Sequence, residues 1–433
     1  MMFNAERAER WIWYVFLGVI AWQTRVVLWH ADTVFQEWRS MSLYGTDILM
    51  FVLLVFAGAR GFFSELVISW RTQWRFALLI AAACISLVDA PALSIGVYQL
   101  TRLLQGILFF LYLRRYAWNR FSHDWSALAF VIGAMSQSVL GIAQFLTQHD
   151  IGLRIVGETL LRVDMHGVAV FYASSGEKIL RAYGSLPHPN VLAMYLVTSL
   201  WMCMWLWMRH DSHRHPMRWV WPLAYSILLC GLFVTFSRTS VAVWMLATTS
   251  LFVVVIRQDG GKAISRILIT TLISTVVFLA FAWPLVLART TVHSSDEALQ
   301  MRKYYAVESL SLHEPLKAGV HWIGVGIGNF TTWLASSNPT LSPYLVAPVH
   351  NIYLLTYAEM GVLGVIALGI ILFDVARVHT VVSSQGVIVR RGLLILVGAV
   401  MLTGTMDHFF FTIQQGRFLW WGVLALAAGA SER

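Results

Sequence analysis

The chain carries about twelve apolar stretches, and most are long enough to cross a lipid bilayer as a helix, which takes ~20 apolar residues. They lie near residues 11–29, 46–59, 75–93, 96–113, 125–147, 190–208, 219–235, 239–256, 265–288, 350–373, 391–406 and 416–430. The pattern predicts an all-α polytopic membrane protein. Residues 1–433 are expected to form a single integral membrane domain.

The composition supports a membrane protein. Apolar residues make up 58% of the 433 and charged residues 12%, whereas about 25% of a soluble domain is charged. The 20 Trp and 14 Tyr fit aromatic belts at the membrane interfaces. The three Cys lie in apolar stretches and form neither a metal-binding spacing nor a disulfide framework. The net charge of +9 is typical of a membrane protein whose basic cytoplasmic loops contact anionic lipid headgroups. We therefore expect no nucleic-acid partner.

An even number of spans places both termini on the same side of the membrane. Lys and Arg concentrate in the loops on that side and are nearly absent from the short loops opposite, so the termini are expected in the cytoplasm. Two long segments, 148–187 and 289–349, then face outward. The second lies between predicted helices 9 and 10. Apolar and polar residues alternate in parts of 148–187, which predicts a small β-hairpin. The first apolar stretch lacks a signal-peptide cleavage site and is expected to be retained as a membrane span.

Two outward-facing turns carry arginine. Arg181 precedes a segment in which Pro187 and Pro189 break any helix, and Asn190 then caps the next span. This segment is either a helix entry or the mouth of a site. Arg238 lies in a tight turn among Ser and Thr hydroxyls. It is either an anchor that reaches to the interface or part of an anion cradle at a helix N-terminus.

The long outer segment 289–349 contains two further features. Residues 297–312 read as an amphipathic surface helix in which Arg302 is either solvated or directed toward the bundle. Gly324, Gly326 and Gly328 precede Asn329. No strand precedes these glycines, so they are not a dinucleotide fingerprint. They predict a backbone that approaches a ligand closely.

The segment ends at His350-Asn351, where the next span begins. His350, Tyr353, Tyr357 and Gly361 share one helical face by their spacing. A histidine at a helix start is often only a polar cap. Imidazole also titrates near neutrality and is the usual general base, and ionisable groups at membrane depth are commonly functional.

Taken in order, these residues resemble the O-antigen ligase superfamily over roughly residues 120–430. The residues that carry the resemblance are Gly184, Pro187-His188-Pro189-Asn190, Ala193, Ser237-Arg238-Thr239, Arg302, Gly324 to Phe330, His350-Asn351, Glu359 and Gly361.

The resemblance implies a GT-C-like glycosyltransferase of the bacterial inner membrane with its active site facing the periplasm. Its donor would be a glycan on undecaprenyl diphosphate and its acceptor a sugar hydroxyl of lipid A–core. No nucleotide, ATP or metal is expected, and the chain is expected to be a monomer among membrane lipids. The expected catalytic residues are His350, Arg238 and Arg302. The expected substrate-binding residues are Arg181, Asn190, Gly326, Gly328, Asn329, Asn351 and Tyr353.

The chemistry of the residues agrees with that reaction. Arginines bind a diphosphate leaving group and stabilise its charge, and a histidine takes the proton of the attacking hydroxyl. Direct attack would invert the anomeric carbon. Three alternatives stay open: an O-antigen polymerase, a protein O-glycosyltransferase of the same superfamily, and a transporter of lipid-linked glycans.

Overall fold

The computed structural model is almost entirely helical, and it describes residues 2–31, 35–68, 73–210, 219–256, 261–290, 297–312, 320–377 and 384–429. In the first half the helices are α1 Met2–Val19, α2 Gly45–Gly58, α3 Phe62–Ile68, α4 Trp74–Ser86, α5 Leu93–Leu111, α6 Trp118–Arg120, α7 His123–Thr147 and α8 Pro189–His210. A π-helical turn, Tyr112–Ala117, joins α5 to α6. The strands are β1 Arg25–His30, β2 Ser40–Tyr44, β3 Val170–Tyr172 and β4 Lys178–Leu180.

The second half continues the bundle. Its helices are α9 Val220–Val234, α10 Arg238–Ile256, α11 Gly261–Thr290, α12 Glu297–Ser311, α13 Val320–Ile323, α14 Phe330–Ser337, α15 Ile352–Arg377, α16 Ser384–Gly404, α17 Phe409–Thr412 and α18 Gln414–Gly429. Each apolar stretch predicted from the sequence overlaps one of the helices of the two halves.

Five of the described helical segments are long and apolar enough to cross a membrane. They are Leu93–Arg120, His123–Thr147, Pro189–His210, Ile264–Thr290 and Ile352–Arg377. The surface of α11 supports a lipid environment, because Leu272 is 64% exposed and Phe281 is 86% exposed. A contiguous apolar face of this kind is not maintained in water. The predicted mainly helical architecture is confirmed, and the exposed apolar helices fit a membrane protein.

Ion pairs identify one end of the bundle. Arg209, at the end of α8, pairs with Asp124 at the start of α7 (Nε–Oδ1 3.1 Å). Arg120 pairs with Glu6 near the start of α1 (2.9 Å). The starts of α1 and α7 and the end of α8 therefore meet at one level, which is called the basic end below.

The first apolar stretch folds differently from its prediction. Helix α1 ends at Val19, and residues 25–30 form β1, which pairs antiparallel with β2. The two arginines that the sequence places within spans both find carboxylates here. Arg25 bonds Glu37, and Arg102 pairs with Asp47 (2.8 Å). Pairing removes the cost of isolated charges at membrane depth.

The segment between α7 and α8 contains the predicted hairpin, because β3 and β4 pair antiparallel. Two glutamines of α7 hold the chain that follows β4. Gln144 Oε1 accepts the N–H groups of Tyr183 (3.1 Å) and Gly184 (2.9 Å), and Gln137 Oε1 accepts that of Ser185 (2.8 Å). The chain between Arg181 and Leu186 is buried, so these bonds fix its path.

Helix α15 is interrupted at Gly361, whose φ of 64° and ψ of −164° are not helical. The interruption frees two carbonyl groups of the preceding turn. Ala358 O accepts Val325 N (2.9 Å), and Glu359 O accepts Gly326 N (3.0 Å). The glycine turn is thereby bonded to α15 at its kink.

Candidate functional site

A cluster of titratable side chains lies at the end of the bundle opposite the basic end. It gathers residues from five places in the chain. Arg181, His188 and Asn190 come from the entry to α8, Arg289 from the end of α11 and Arg302 from α12. His350 precedes α15, and Asp407 and His408 occupy the break between α16 and α17. The charges of these groups act on one another.

Asp407 anchors the cluster through Asn190. The amide Nδ2 of Asn190 donates to Asp407 Oδ2 (2.7 Å), and its Oδ1 accepts from Arg181 (2.7 Å). Arg181 Nε also donates to Thr235 O (2.8 Å) at the end of α9. The amide of His408 donates to Asp407 Oδ1 (2.8 Å). Arg181 and Asp407 are both more than nine-tenths buried, so this chain of bonds holds them rigidly.

Three imidazoles surround Asp407, and two of them have structural hydrogen bonds. Nδ1 of His188 accepts the N–H of Asn190 (3.1 Å), and Nδ1 of His408 lies 2.7 Å from Thr412 Oγ1. The His350 ring packs at 82° to that of His408 with centroids 4.9 Å apart. It stacks on Tyr305 at 5.9 Å. Its Nδ1 is buried without a partner of ordinary hydrogen-bond geometry, although the Pro348 carbonyl lies near the ring.

The surroundings keep the imidazoles neutral and the carboxylate charged. Burial, with the positive charge of Arg181, lowers the pKa of His188 to about 3, and burial beside His350 lowers that of His408 to about 3. Burial also lowers the pKa of His350, while the negative charge of Asp407 opposes this shift. Burial alone would raise the pKa of Asp407, but the neighbouring imidazoles and the Asn190 amide hold it well below its usual value.

Positive charge exceeds negative charge around the cluster. Burial, together with the charge of Arg289, lowers the pKa of Arg181 to about 9, and the charge of Arg302 acts in the same direction. Arg302 is half-buried and forms no ion pair with a residue that the structure describes. Like charges repel one another, and an anion between them offsets that repulsion. The chemistry of Arg181, Arg289 and Arg302 therefore suits an anion.

The expected catalytic residues do not all meet here. His350 and Arg302 belong to the cluster. Arg238 lies at the start of α10 with its side chain exposed, and its NH1 is 3.5 Å from the backbone carbonyl of Arg289. Arg289 occupies the inner position instead, with its Nε 3.3 Å from Phe236 O. Arg238 thus lies one layer outside the cluster.

Of the expected substrate-binding residues, Arg181 and Asn190 belong to the cluster, and the glycine turn packs against helices. A Cβ on Gly326 would meet Ala90 Cβ at 2.7 Å, and one on Gly328 would meet Gln99 Cγ at 2.2 Å. Asn329 is fully buried and accepts the N–H of Ala92 (2.8 Å). In the geometry described, this turn is a structural contact between the outer segment and the bundle.

Asn351 and Tyr353 flank the site. Asn351 Oδ1 accepts the N–H groups of Tyr353 (2.9 Å) and Leu354 (3.1 Å), so it caps α15. The Tyr353 hydroxyl donates to Met401 O (3.1 Å) on α16. The predicted binding roles of both residues stay predictions. Their visible roles are to start α15 and fix it against α16, which positions His350.

The segment before α15 is held in place by two side-chain hydrogen bonds. Trp38 Nε1 donates to Val346 O (2.9 Å), and the Tyr305 hydroxyl donates to Leu345 O (2.5 Å). Trp38 also packs edge-on against His408. The loop between β1 and β2 and the outer helix α12 therefore both support the wall that carries His350.

Sequence reasoning did not assign Asp407, His408, His188 or Arg289 to the site. His188 lies in a motif that carries the family resemblance, but within that motif only Asn190 is predicted to bind substrate. Asp407-His408 separates two apolar stretches, and titratable residues at such a break are a sequence signal for a functional site. Arg289 ends an apolar helix and directly precedes the outer segment. Arg289, and not Arg238, lies in the cluster because of the turn geometry at Phe236, which has a φ of 47°.

A small cavity of about 40 Å³ lies beside the cluster, next to Thr412. Its lining includes Trp38, Gln99, Glu359 and Arg417. A cavity of this size holds only a few water molecules. Although three imidazoles and a carboxylate are neighbours nearby, the described residues contain no group of His, Cys, Asp or Glu arranged to hold a metal ion.

No protein-family model matches the chain, and no curated protein matches it. What the site can do follows from its chemistry: it can bind an anion through arginine and accept a proton on a neutral imidazole.

Proposed function

We propose that the protein is a lipid-linked-glycan glycosyltransferase of the O-antigen ligase kind, with twelve membrane spans and a GT-C-like fold. It transfers a glycan from undecaprenyl diphosphate to a sugar hydroxyl of lipid A–core at the periplasmic face of the bacterial inner membrane. The resemblance of the motif order supports this reaction. The convergence of Arg302, His350 and Asn190 from separate segments supports it independently.

The state of His350 carries the proposal. Its Nδ1 is buried, with the Pro348 carbonyl near the ring, and burial lowers its pKa. A neutral imidazole has one unprotonated nitrogen, which can accept a proton. Asp407 then stabilises the imidazolium that forms, because its negative charge favours the charged ring. General-base catalysis of this kind contributes ~10²–10⁴-fold in rate.

The arginines suit the leaving group. The acceptor oxygen attacks the anomeric carbon, the bond from that carbon to the diphosphate oxygen breaks, and the proton of the hydroxyl moves to His350. Undecaprenyl diphosphate departs with the bonding electrons and gains negative charge. Arg181, Arg289 and Arg302 face that charge, and donors placed in advance contribute ~10²–10³-fold each. Attack opposite the leaving group inverts the sugar carbon.

A cellular experiment tests the reaction and separates the ligase from the polymerase. A strain that lacks the gene is complemented with the wild type, His350→Ala or His321→Ala. His321 lies in the same outer segment and contacts Tyr357 (3.0 Å), so it is a matched control. Loss of O-antigen from lipopolysaccharide with accumulation of lipid-linked polymer is expected for His350→Ala alone.

Other outcomes decide against the proposal. Core carrying a single repeat unit would indicate the polymerase. Normal lipopolysaccharide in the His350→Ala strain, with the variant expressed, would exclude His350 as an essential base. A lipid-linked glycan confined to the cytoplasmic leaflet would indicate the transporter.

A further inference from the structure

A larger cavity, which is apolar, lies within the helix bundle, away from the candidate site. It has a volume of about 300 Å³ and runs between α1, α7, α8, α16 and α18. Leu17, Phe130, Leu393, Leu396, Leu419 and Val423 are among the residues that line it. An apolar cavity of ~150 Å³ in a protein core stays dry and binds small hydrocarbons. A space twice that size in a bilayer calls for a hydrocarbon occupant.

The cavity has the length of a lipid chain. Its lining on α8 extends from Tyr195 to Arg209, which is about 21 Å at the helical rise of 1.5 Å per residue. One leaflet of the hydrocarbon core is roughly 15 Å thick, half of the ~30 Å total. A single chain that enters from one leaflet therefore fits within the cavity.

One end of the cavity, which is called its mouth below, reaches the basic end. Trp118, His123, Trp205 and Arg209 line it there. Trp125, at the start of α7, is 61% exposed, and Trp11, in the middle of α1, is 67% exposed. Trp13 Nε1 donates to Ser126 Oγ (2.9 Å), so both exposed tryptophans lie near this level. Exposed tryptophans at helix ends mark the headgroup level of a membrane. The mouth therefore lies at the level of the lipid headgroups.

The charges at the mouth favour a negative headgroup. Arg209 lies over the Trp205 ring at 5.1 Å, and its side chain is 55% exposed. Its carboxylate partner Asp124 is shared with His210 (Nε2–Oδ2 3.0 Å). The exposed part of the guanidinium is thus available to a second anion, and a lipid phosphate at this level supplies one.

We propose that this cavity binds one anionic phospholipid, with a hydrocarbon chain between the helices and its phosphate at Arg209. The site is distinct from the glycan-transfer site, because Arg209 and the Asp407 cluster lie at opposite ends of α8. A lipid-linked diphosphate bound at that cluster would enter from the opposite leaflet.

Native mass spectrometry of the full-length protein tests the proposal. The protein is reconstituted in vesicles of equal amounts of palmitoyl-oleoyl phosphatidylglycerol and phosphatidylcholine and then extracted in detergent. We expect one retained lipid per chain, enriched about fivefold in phosphatidylglycerol, as expected for one contact between arginine and an anionic headgroup. Arg209→Gln should abolish the enrichment, and Arg10→Gln, at the same end but outside the cavity, should leave it unchanged.

A second pair of variants tests the chain. Leu393→Trp and Leu419→Trp fill the cavity from α16 and α18, and whichever retains the wild-type melting temperature should lose the retained lipid. Wild-type protein without a retained lipid would overturn the proposal. So would undiminished retention in a folded filled variant, or enrichment that persists in Arg209→Gln. Glycan transfer by Arg209→Gln is measured in parallel, so that failure of this site and failure of the proposed function are distinguishable.

Discussion

At the scale of single residues, the effect of the Asp407 charge on His350 makes the clearest prediction. Asp407→Asn keeps the shape of the side chain but removes the charge that stabilises an imidazolium at His350. The maximal transfer rate should fall roughly 100-fold with little change in KM. Steady-state kinetics measure this. Asp164→Asn, an exposed carboxylate paired with Arg162, is the control and should be as active as the wild type.

The pH dependence follows from the same pair. His350 works as a base only when neutral, and burial lowers its pKa below the ordinary 6.5. The transfer rate should therefore be constant from pH 8 to 6.5 and fall only at lower pH. Asp407→Asn should move that fall to still lower pH, because the carboxylate favours the protonated ring. A wild-type rate that already falls between pH 8 and 7 would contradict the assignment.

Arg302 should act on the donor. Arg302→Gln removes an arginine without an ion pair among the described residues, so the fold should survive while kcat/KM for the lipid-linked donor falls ~10²–10³-fold. Lys303→Gln changes the adjacent, exposed cation and is the matched control. Equal losses in both variants would mean that general surface charge, and not a positioned guanidinium, attracts the donor.

Residue types predicted part of this site. His350, Arg302, Arg181 and Asn190 were foreseeable because titratable and cationic side chains stand out among apolar spans. Asp407 and His188 were not, because their importance depends on the approach of α16 to the entry of α8. Arg238 and Arg289 show the same limit: both lie near the outer ends of spans, and only the turn at Phe236 decides which points inward.

At the scale of elements, the kink in α15 is the feature most open to test. Gly361 adopts a conformation essentially restricted to glycine, and a Cβ there would meet the backbone of Trp322 at 2.2 Å. Gly361→Ala should lower the free energy of unfolding by roughly 2–4 kcal/mol. Thermal unfolding in detergent measures it.

Gly369 offers a control on the same helix. It has ordinary helical geometry and nothing within 4 Å of an added Cβ, so Gly369→Ala should be neutral or slightly stabilising. Equal melting temperatures for the two variants would show that the kink does not hold the glycine turn. The spacing of Gly324, Gly326 and Gly328 predicted a close backbone approach. It did not predict which parts of the bundle the glycine turn contacts, and these lie around Ser86, Gln99 and Glu359.

At the scale of the whole molecule, hydropathy predicted the positions of the helices well, because burial in lipid needs long apolar runs. It did not predict that α1 stops at Val19 and that a hairpin follows, since the residues of β1 are equally apolar. Single-helix patterns also carry no information on which helices leave a cavity between them.

The membrane orientation is testable with single cysteines. In a chain lacking Cys84, Cys203 and Cys230, Ser336→Cys in the exposed outer helix α14 should react in intact spheroplasts with a maleimide that does not cross membranes. Ala8→Cys, at the basic end, should react only after lysis. Both positions are exposed. The reverse pattern would place the candidate site in the cytoplasm, where it could not meet a periplasmic donor.

The most direct measurement is glycan transfer by the purified protein. Lipid-linked glycan and rough lipopolysaccharide are supplied in detergent, with and without EDTA, to the wild type and to His350→Ala. We predict metal-independent transfer by the wild type, an inverted sugar linkage, and at least a 100-fold loss in the His350→Ala variant. Absence of transfer by folded wild-type protein, or equal transfer by the variant, would contradict the account.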